Sequence, residues 1–249
     1  MEFRQLLPVP ATVEIGELLG SMSLGDRATP ERPYTVANFI SSVDGRATIG
    51  GRSAGLGDDG DRMMFLGLRE QADAVLAGTT TLRTERYGRI LRDAERRGRR
   101  AQRGRSPEPL TSVVTRSGEV PTEIPLFAEP EARIVVFSAA PIDSLARCAA
   151  HVDVIRLEAS ELILTTALRL LRSDYGMRSV LCEGGPTLFG ALLRERLVDE
   201  LFLTLAPKLA GGGDGPTISS GPELAEPQHA RLQSLLERNG SLYCRYRLQ

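Results

Sequence analysis

The chain reads as an α/β protein built on a largely parallel central sheet with an antiparallel edge. Three observations carry that reading. Short β-rich runs alternate with helical runs along most of the 249 residues, the pattern of a parallel sheet with helices on both faces. The final strands follow one another without a long intervening helix, which predicts the antiparallel edge. One strand, Ser179-Val180-Leu181-Cys182, passes through Gly184 and Gly185 straight into a leucine-rich helix.

Taken in order, residues 1–33 form an N-terminal extension of mixed character. Val13 to Leu19 has the spacing of a short helix, and Thr29-Pro30-Glu31-Arg32-Pro33 is a linker. The main domain spans 34–249. It begins with the β-rich run from Tyr34 to Ile40, which Ser41-Ser42-Val43-Asp44-Gly45 ends. Asp58 to Asp73 is helical, with Asp59 and Asp61 in its first turn. Ala74 to Ala77 is a buried strand leading into Gly78-Thr79-Thr80-Thr81. Arg86 to Arg105 holds nine arginines, interrupted or flanked by Glu85, Asp93, Glu95 and Glu108. Without an interleaved aromatic platform it reads as a solvated helix or flexible loop rather than an anion or partner site. Strands follow at Leu110–Thr115, Ala132–Phe137 and Val152–Leu157. A helix runs from about Leu162 to Arg172 with Leu164, Leu168 and Leu171 at helical spacing. Strands at Glu200–Ala206 and Leu242–Leu248 close the chain, with Gly211-Gly212-Gly213 a sharp loop between them.

Composition narrows the function classes. The net charge is −1 and charged residues make up 25%, so nothing global points to nucleic acid. Lys208 is the only lysine beside an abundance of arginine. Cys148, Cys182 and Cys244 show no C-x-x-C spacing, and an odd number argues against a disulfide framework. Two histidines give little material for a zinc site or a catalytic triad, so no metal is expected. No apolar run approaches a membrane span, and the chain reads as cytoplasmic.

Chemistry concentrates where strands end, the place where ligands bind in open parallel sheets. The first long strand delivers Asn38, Ser41, Asp44 and Gly45. The second delivers Gly78, Thr79, Thr80 and Thr81, and a third Thr115, Arg116 and Ser117. A later one delivers Glu183 and the turn Gly184-Gly185-Pro186-Thr187-Leu188. Glycines at a helix start let backbone N–H groups approach an anion closely. Gly78 to Thr81 offers a second such site, though threonines also cap helices without any ligand. Arg116 between two hydroxyls suits the 2′-phosphate that distinguishes NADPH, against the alternative of an ordinary turn. Two separate anion sites fit a dinucleotide better than a mononucleotide. Asp44, at an Asp-Gly turn, has the chemistry to move a proton or merely to shape the turn. Glu183 is the better candidate for touching a substrate.

Four runs, Asn38 to Ala47, Ala74 to Thr81, Glu183 to Leu188 and Leu205 to Gly212, together resemble the pyrimidine reductase (RibD C-terminal) family of riboflavin biosynthesis. The resemblance covers about Tyr34 to Gln249. It implies a dihydrofolate-reductase-like fold, NADPH as hydride donor and a homodimer. The family reduces the ribose of 5-amino-6-ribosylaminouracil 5′-phosphate, with hydride passing to C1′. By position, Thr81, Glu85, Ser117 and Gly185 to Leu188 (including Pro186 and Thr187) fall to the cofactor, and Ala47 and the strand-end residues Gly78, Thr79, Thr115, Arg116 and Gly184 are assigned with them. Asn38, Ser41, Ser53, Arg69 and Glu183 fall to the substrate, Arg69 pairing with its phosphate, and Asp44 and Glu183 are the catalytic candidates.

The sequence departs from the family pattern in three places. No H-x-E and P-C-x-x-C deaminase signature is present, so the reductase is expected to stand alone. Arg46 replaces the usual lysine. Thr84-Glu85-Arg86-Tyr87-Gly88 replaces the acidic, proline-containing turn that helps hold the substrate phosphate, leaving Arg86, Arg89 or Arg92 to serve. Two alternatives stay open: a reductase of another heterocycle such as a pterin or dihydrofolate, and a nucleotide-binding module without turnover. A nucleic-acid role for the arginine run is a distant fourth.

Overall fold

The structure is a computed structural model, and it describes every residue except 143, 144, 146, 147, 159–162, 213 and 214. In chain order the elements are β1 (Glu2–Leu7), β2 (Ala11–Glu14), α1 (Ile15–Gly20), β3 (Tyr34–Ser42), α2 (Asp59–Gln71), β4 (Ala74–Gly78), α3 (Thr79–Thr84), α4 (Ala94–Gln102), β5 (Leu110–Thr115), β6 (Arg133–Ser138), β7 (His151–Arg156), α5 (Ile163–Ser173), β8 (Ser179–Cys182), α6 (Pro186–Arg194), β9 (Glu200–Ala206), β10 (Ala230–Arg238) and β11 (Ser241–Leu248). Leu162 and Gly213, named in the sequence reading, lie outside the described residues. No described helix is long and apolar enough to cross a membrane.

The chain divides into two compact units. The first comprises Met1–Ser23, Thr35–Leu68 and Pro186–Gln249, the second Leu24–Tyr34 and Arg69–Gly185. In the second unit the strands run in the order β8-β4-β5-β6-β7, every pair parallel. β8, β4, β5 and β6 are short and mostly buried, as covered strands are, whereas the edge strand β7 mixes polar and apolar residues and is largely exposed. Ala77, Val113, Ile134 and Val136 pack with Leu82, Leu126 and Phe127 in one buried cluster. On α5, Leu164, Leu168 and Leu171 are buried at the helical spacing the sequence showed.

In the first unit the order is β2-β1-β10-β11-β9-β3. Only β3 and β9 run parallel there; the remaining pairs are antiparallel. The α/β class with an antiparallel portion is as expected. That portion is broad because the first residues of the chain supply β1 and β2, with β1 pairing with β10. Phe3 meets Tyr243 edge to face at 4.9 Å, which fixes β1 onto that layer.

At the start of α2, Asp58 accepts from the Ser241 and Tyr243 hydroxyls at 2.8 Å each and from the Asp61 amide at 2.8 Å. Burial raises the Asp61 carboxyl to about 6, against a hydrogen bond with Thr204 and with the Asp58 charge adding to the rise. A raised acid is stabilising only while protonated. Its contribution is complete below about pH 4 and is lost as pH climbs to about 6. Asp61→Asn should therefore stabilise the protein by about 2 kcal/mol at pH 7.5 and by almost nothing at pH 4. Urea unfolding at the two pH values checks this; an equal change at both would contradict it.

The arginine run corrects the sequence reading. Its first part, 86–93, is loop, but its second part forms α4, which is not a freely solvated helix, since Arg96 and Arg100 on it are buried. Arg96 and Arg99 both grip Glu70, at 2.7–2.8 Å. Arg100 Nη1 donates to the carbonyls of Glu70 and Ala72 at 2.9 and 2.6 Å, and its Nε to Ser106 O at 2.8 Å. Arg105 Nη1 donates to Gln71 O. The last carbonyls of a helix have no partners within it and carry partial negative charge, so guanidinium groups suit them. The run clamps residues 69–72 at the end of α2.

Candidate functional site

Parallel pairing brings the C-terminal ends of β8, β4 and β5 to the same side of the second unit, with Leu76 opposite both Cys182 and Ser112. Gly78, at the end of β4, has extended backbone and is the N-cap of α3. No side chain caps that helix, so the threonines there do not serve as the cap. Gly185 sits in the left-handed region at φ +36, and a Cβ on it would lie 2.8 Å from Thr81 Oγ1. Thr81 and Gly185, both expected at the cofactor, are thus side by side. At the end of β5 the buried Thr115 accepts from the Gly118 amide at 3.2 Å, and Ser117 Oγ from the Glu119 amide at 3.3 Å. This tight turn leaves Arg116 exposed.

Glu183 ends β8. Its amide donates to Leu76 O at 3.0 Å, and its side chain is 2% exposed. Arg69 holds the carboxylate bidentately, Nε to Oε1 at 2.6 Å and Nη2 to Oε2 at 2.7 Å. The Tyr87 hydroxyl donates to Oε2 at 2.7 Å. Arg69 Nη1 donates to Ile90 O at 2.8 Å, and its guanidinium lies over the Tyr87 ring, 5.2 Å from the centroid. Burial works against the Arg69 charge, but Glu183 beside it raises the guanidinium above its usual range. Burial, and then the Glu183 charge, push the Tyr87 hydroxyl well above the ordinary tyrosine value, so it stays a donor.

This geometry corrects the place given to Arg69. All three of its nitrogens are engaged and the residue is 8% exposed, so it holds Glu183 rather than facing a substrate phosphate. Among the three arginines left open for that phosphate, Arg89 is taken by Glu108 at 3.0 Å, Glu129 at 3.7 Å and Glu131. Arg86 and Arg92 are exposed, and no ion pair forms on either among the described residues. Sequence reasoning missed Tyr87; its place in the loop that departs from the family pattern was the available signal. Glu85 closes α3 as its C-cap.

In the first unit, Asn38 and Ser41 lie on β3. Asn38 Oδ1 is buried without a partner among the described residues, while Ser41 Oγ donates to Ser42 O at 3.1 Å. Asp44 is also placed differently from its catalytic expectation. Its carboxylate accepts from Ser42 Oγ, the Ala210 amide at 3.1 Å and the Gly211 amide at 2.7 Å. Those bonds, the Ser42 hydroxyl foremost, lower it to about 2. A carboxyl that acidic is a poor proton carrier near neutral pH; Asp44 ties the end of β3 to the loop after β9. Ala47 is buried and its amide donates to Pro216 O at 2.8 Å. Ser53 opens a short 3-10 turn. Pro186 begins α6 and its carbonyl accepts from the Ser220 amide at 3.0 Å; the Thr187 and Ser220 hydroxyls are 3.2 Å apart, and Leu188 follows in the same turn. Among the described residues no group of three or more metal-ligating side chains forms.

Comparison with known proteins is consistent with this arrangement. A 2,5-diamino-6-ribosylamino-4(3H)-pyrimidinone 5′-phosphate reductase of Archaeoglobus fulgidus is 28% identical over 191 residues, 76% of this chain and 87% of the relative. The Aquifex aeolicus reductase of the same name is 27% identical over 227 residues, 85% of this chain and 95% of the relative. In fold, a pyrimidine reductase-like protein of Corynebacterium diphtheriae superposes with a TM-score of 0.79 at 24% identity, covering 95% of this chain and 99% of that one. The family model described as the RibD C-terminal domain matches residues 33–240, and the chain belongs to that family.

Proposed function

We propose that the protein is a nicotinamide-dependent reductase of a ribosylaminopyrimidine phosphate in riboflavin biosynthesis. The observation that carries this is the contact of Thr81 with Gly185, two anion-cradle residues 104 positions apart, at the shared strand ends of the second unit. A side chain on Gly185 would fill the space where backbone donors face a ligand, so the residues present fit a dinucleotide phosphate. The bound cofactor supplies the hydride; the protein supplies position and electrostatics. Gly78 to Thr81, Glu85 and Gly184 to Leu188 would hold it. Arg116 and Ser117, on their tight turn, would select NADPH through the 2′-phosphate. Arg86 or Arg92 would take the phosphate in place of Arg69.

The named relatives are reductases of the diamino pyrimidinone, which carries one more amino group than the uracil form the family resemblance first suggested. We favour the diamino form for this chain. Deuterium transfer from C4-deuterated NADPH to the sugar C1′ of each form tests the choice; transfer only to the uracil form would reverse it. Arg116→Ala should reduce the preference for NADPH over NADH by about tenfold or more, the loss of one charge-assisted contact. An unchanged ratio of kcat/KM values would move the 2′-phosphate elsewhere. A homodimer and a cytoplasmic location belong to the same reading, and sedimentation velocity tests the first.

A further inference from the structure

We propose that Tyr87 is a positioning residue for the substrate: through Glu183 it locks the loop 84–90 against the start of the Gly184-Gly185 turn. The inference rests on the reductase reading. Three segments meet at one buried carboxylate: the end of α2 through Arg69, the loop after α3 through Tyr87, and the end of β8 through Glu183 itself. The loop is pinned twice. Its far end is held by Arg69 Nη1 on Ile90 O at 2.8 Å, and its near end by the Tyr87 hydroxyl on Glu183 at 2.7 Å.

Tyr87 is itself well fixed. Its ring packs against the cluster that contains Leu82, Val113 and Leu126, under the Arg69 guanidinium. Its amide donates to Leu82 O at 3.1 Å, and its carbonyl accepts from the Leu126 amide at 2.9 Å. Immediately before the Tyr87 pin, Arg86 is held at φ +48, a left-handed conformation that an arginine seldom adopts. Arg86 precedes one pin directly and Arg92 follows the other by two residues, so these two arginines, on which no ion pair forms among the described residues, flank the pinned stretch and take their positions from this lock. Arg69 anchors the carboxylate, and Tyr87 registers the loop to it.

Tyr87→Phe removes one oxygen and leaves the ring, the backbone bonds and the Arg69–Glu183 pair. KM for the pyrimidine phosphate should rise about tenfold, the weight of one hydrogen bond to a charged group, with kcat within about twofold. NADPH affinity should be unchanged, and amide exchange should quicken within 84–90 and nowhere else. An unchanged KM would overturn the proposal, as would a proportional loss of NADPH affinity, which would mark general loosening. If the wild type turns over neither pyrimidine phosphate, the functional reading fails separately. The exchange arm then decides: quickening confined to 84–90 supports the lock, and unchanged exchange overturns it.

Discussion

Arg69→Met is expected to destabilise the protein by about 3–5 kcal/mol, the usual effect of removing one partner from a buried ion pair. The reason lies in what is left behind. Glu183 would remain buried with a single donor, the Tyr87 hydroxyl, where it had three. Ile90 O would lose its partner as well. Adding Glu183→Gln to Arg69→Met should recover a good part of the loss, because the amide carries no charge to bury and still accepts from Tyr87. Urea unfolding of the two variants measures both effects. An Arg69→Met protein as stable as the wild type would mean that the pair is solvated in solution and that Arg69 is available to a ligand after all.

Gly185→Val is the second large effect, and it falls on binding. Valine is branched at Cβ and resists φ +36, and its Cβ would press on Thr81 Oγ1 from 2.8 Å. The turn must shift, and backbone donors aimed at a phosphate shift with it. Losing two such charge-assisted bonds weakens NADPH binding by about 100-fold or more. The far-ultraviolet spectrum should remain that of the wild type, because α6 and β8 keep their own hydrogen bonds. Wild-type cofactor affinity in a folded Gly185→Val protein would remove the cradle from the cofactor site.

The sequence made the strand ends legible and left their partners hidden. Parallel β4, β5 and β8 follow from alternating apolar runs, and glycine or threonine clusters after each mark where loops gather. That reasoning reached Thr81 and Gly185. It did not reach the Arg69–Glu183 pair, because a separation of 114 residues leaves no periodicity to read. Arg69 looked like a phosphate ligand for the same reason that it is a good carboxylate partner: the guanidinium fork serves both. The arginine run misled in a related way. Arginine is assigned to solvent by composition, yet α4 turns Arg96 and Arg100 onto Glu70 and the open carbonyls of α2. Asp44 was legible as a turn residue, and the structure favours that plainer role.

The most direct test of the reductase reading is NADPH oxidation followed at 340 nm, with the diamino and uracil ribosylaminopyrimidine phosphates run beside dihydrofolate. Turnover of a pyrimidine phosphate is expected, and none of dihydrofolate. Tight NADPH binding with no oxidation on either pyrimidine, or preferential turnover of dihydrofolate, would contradict it.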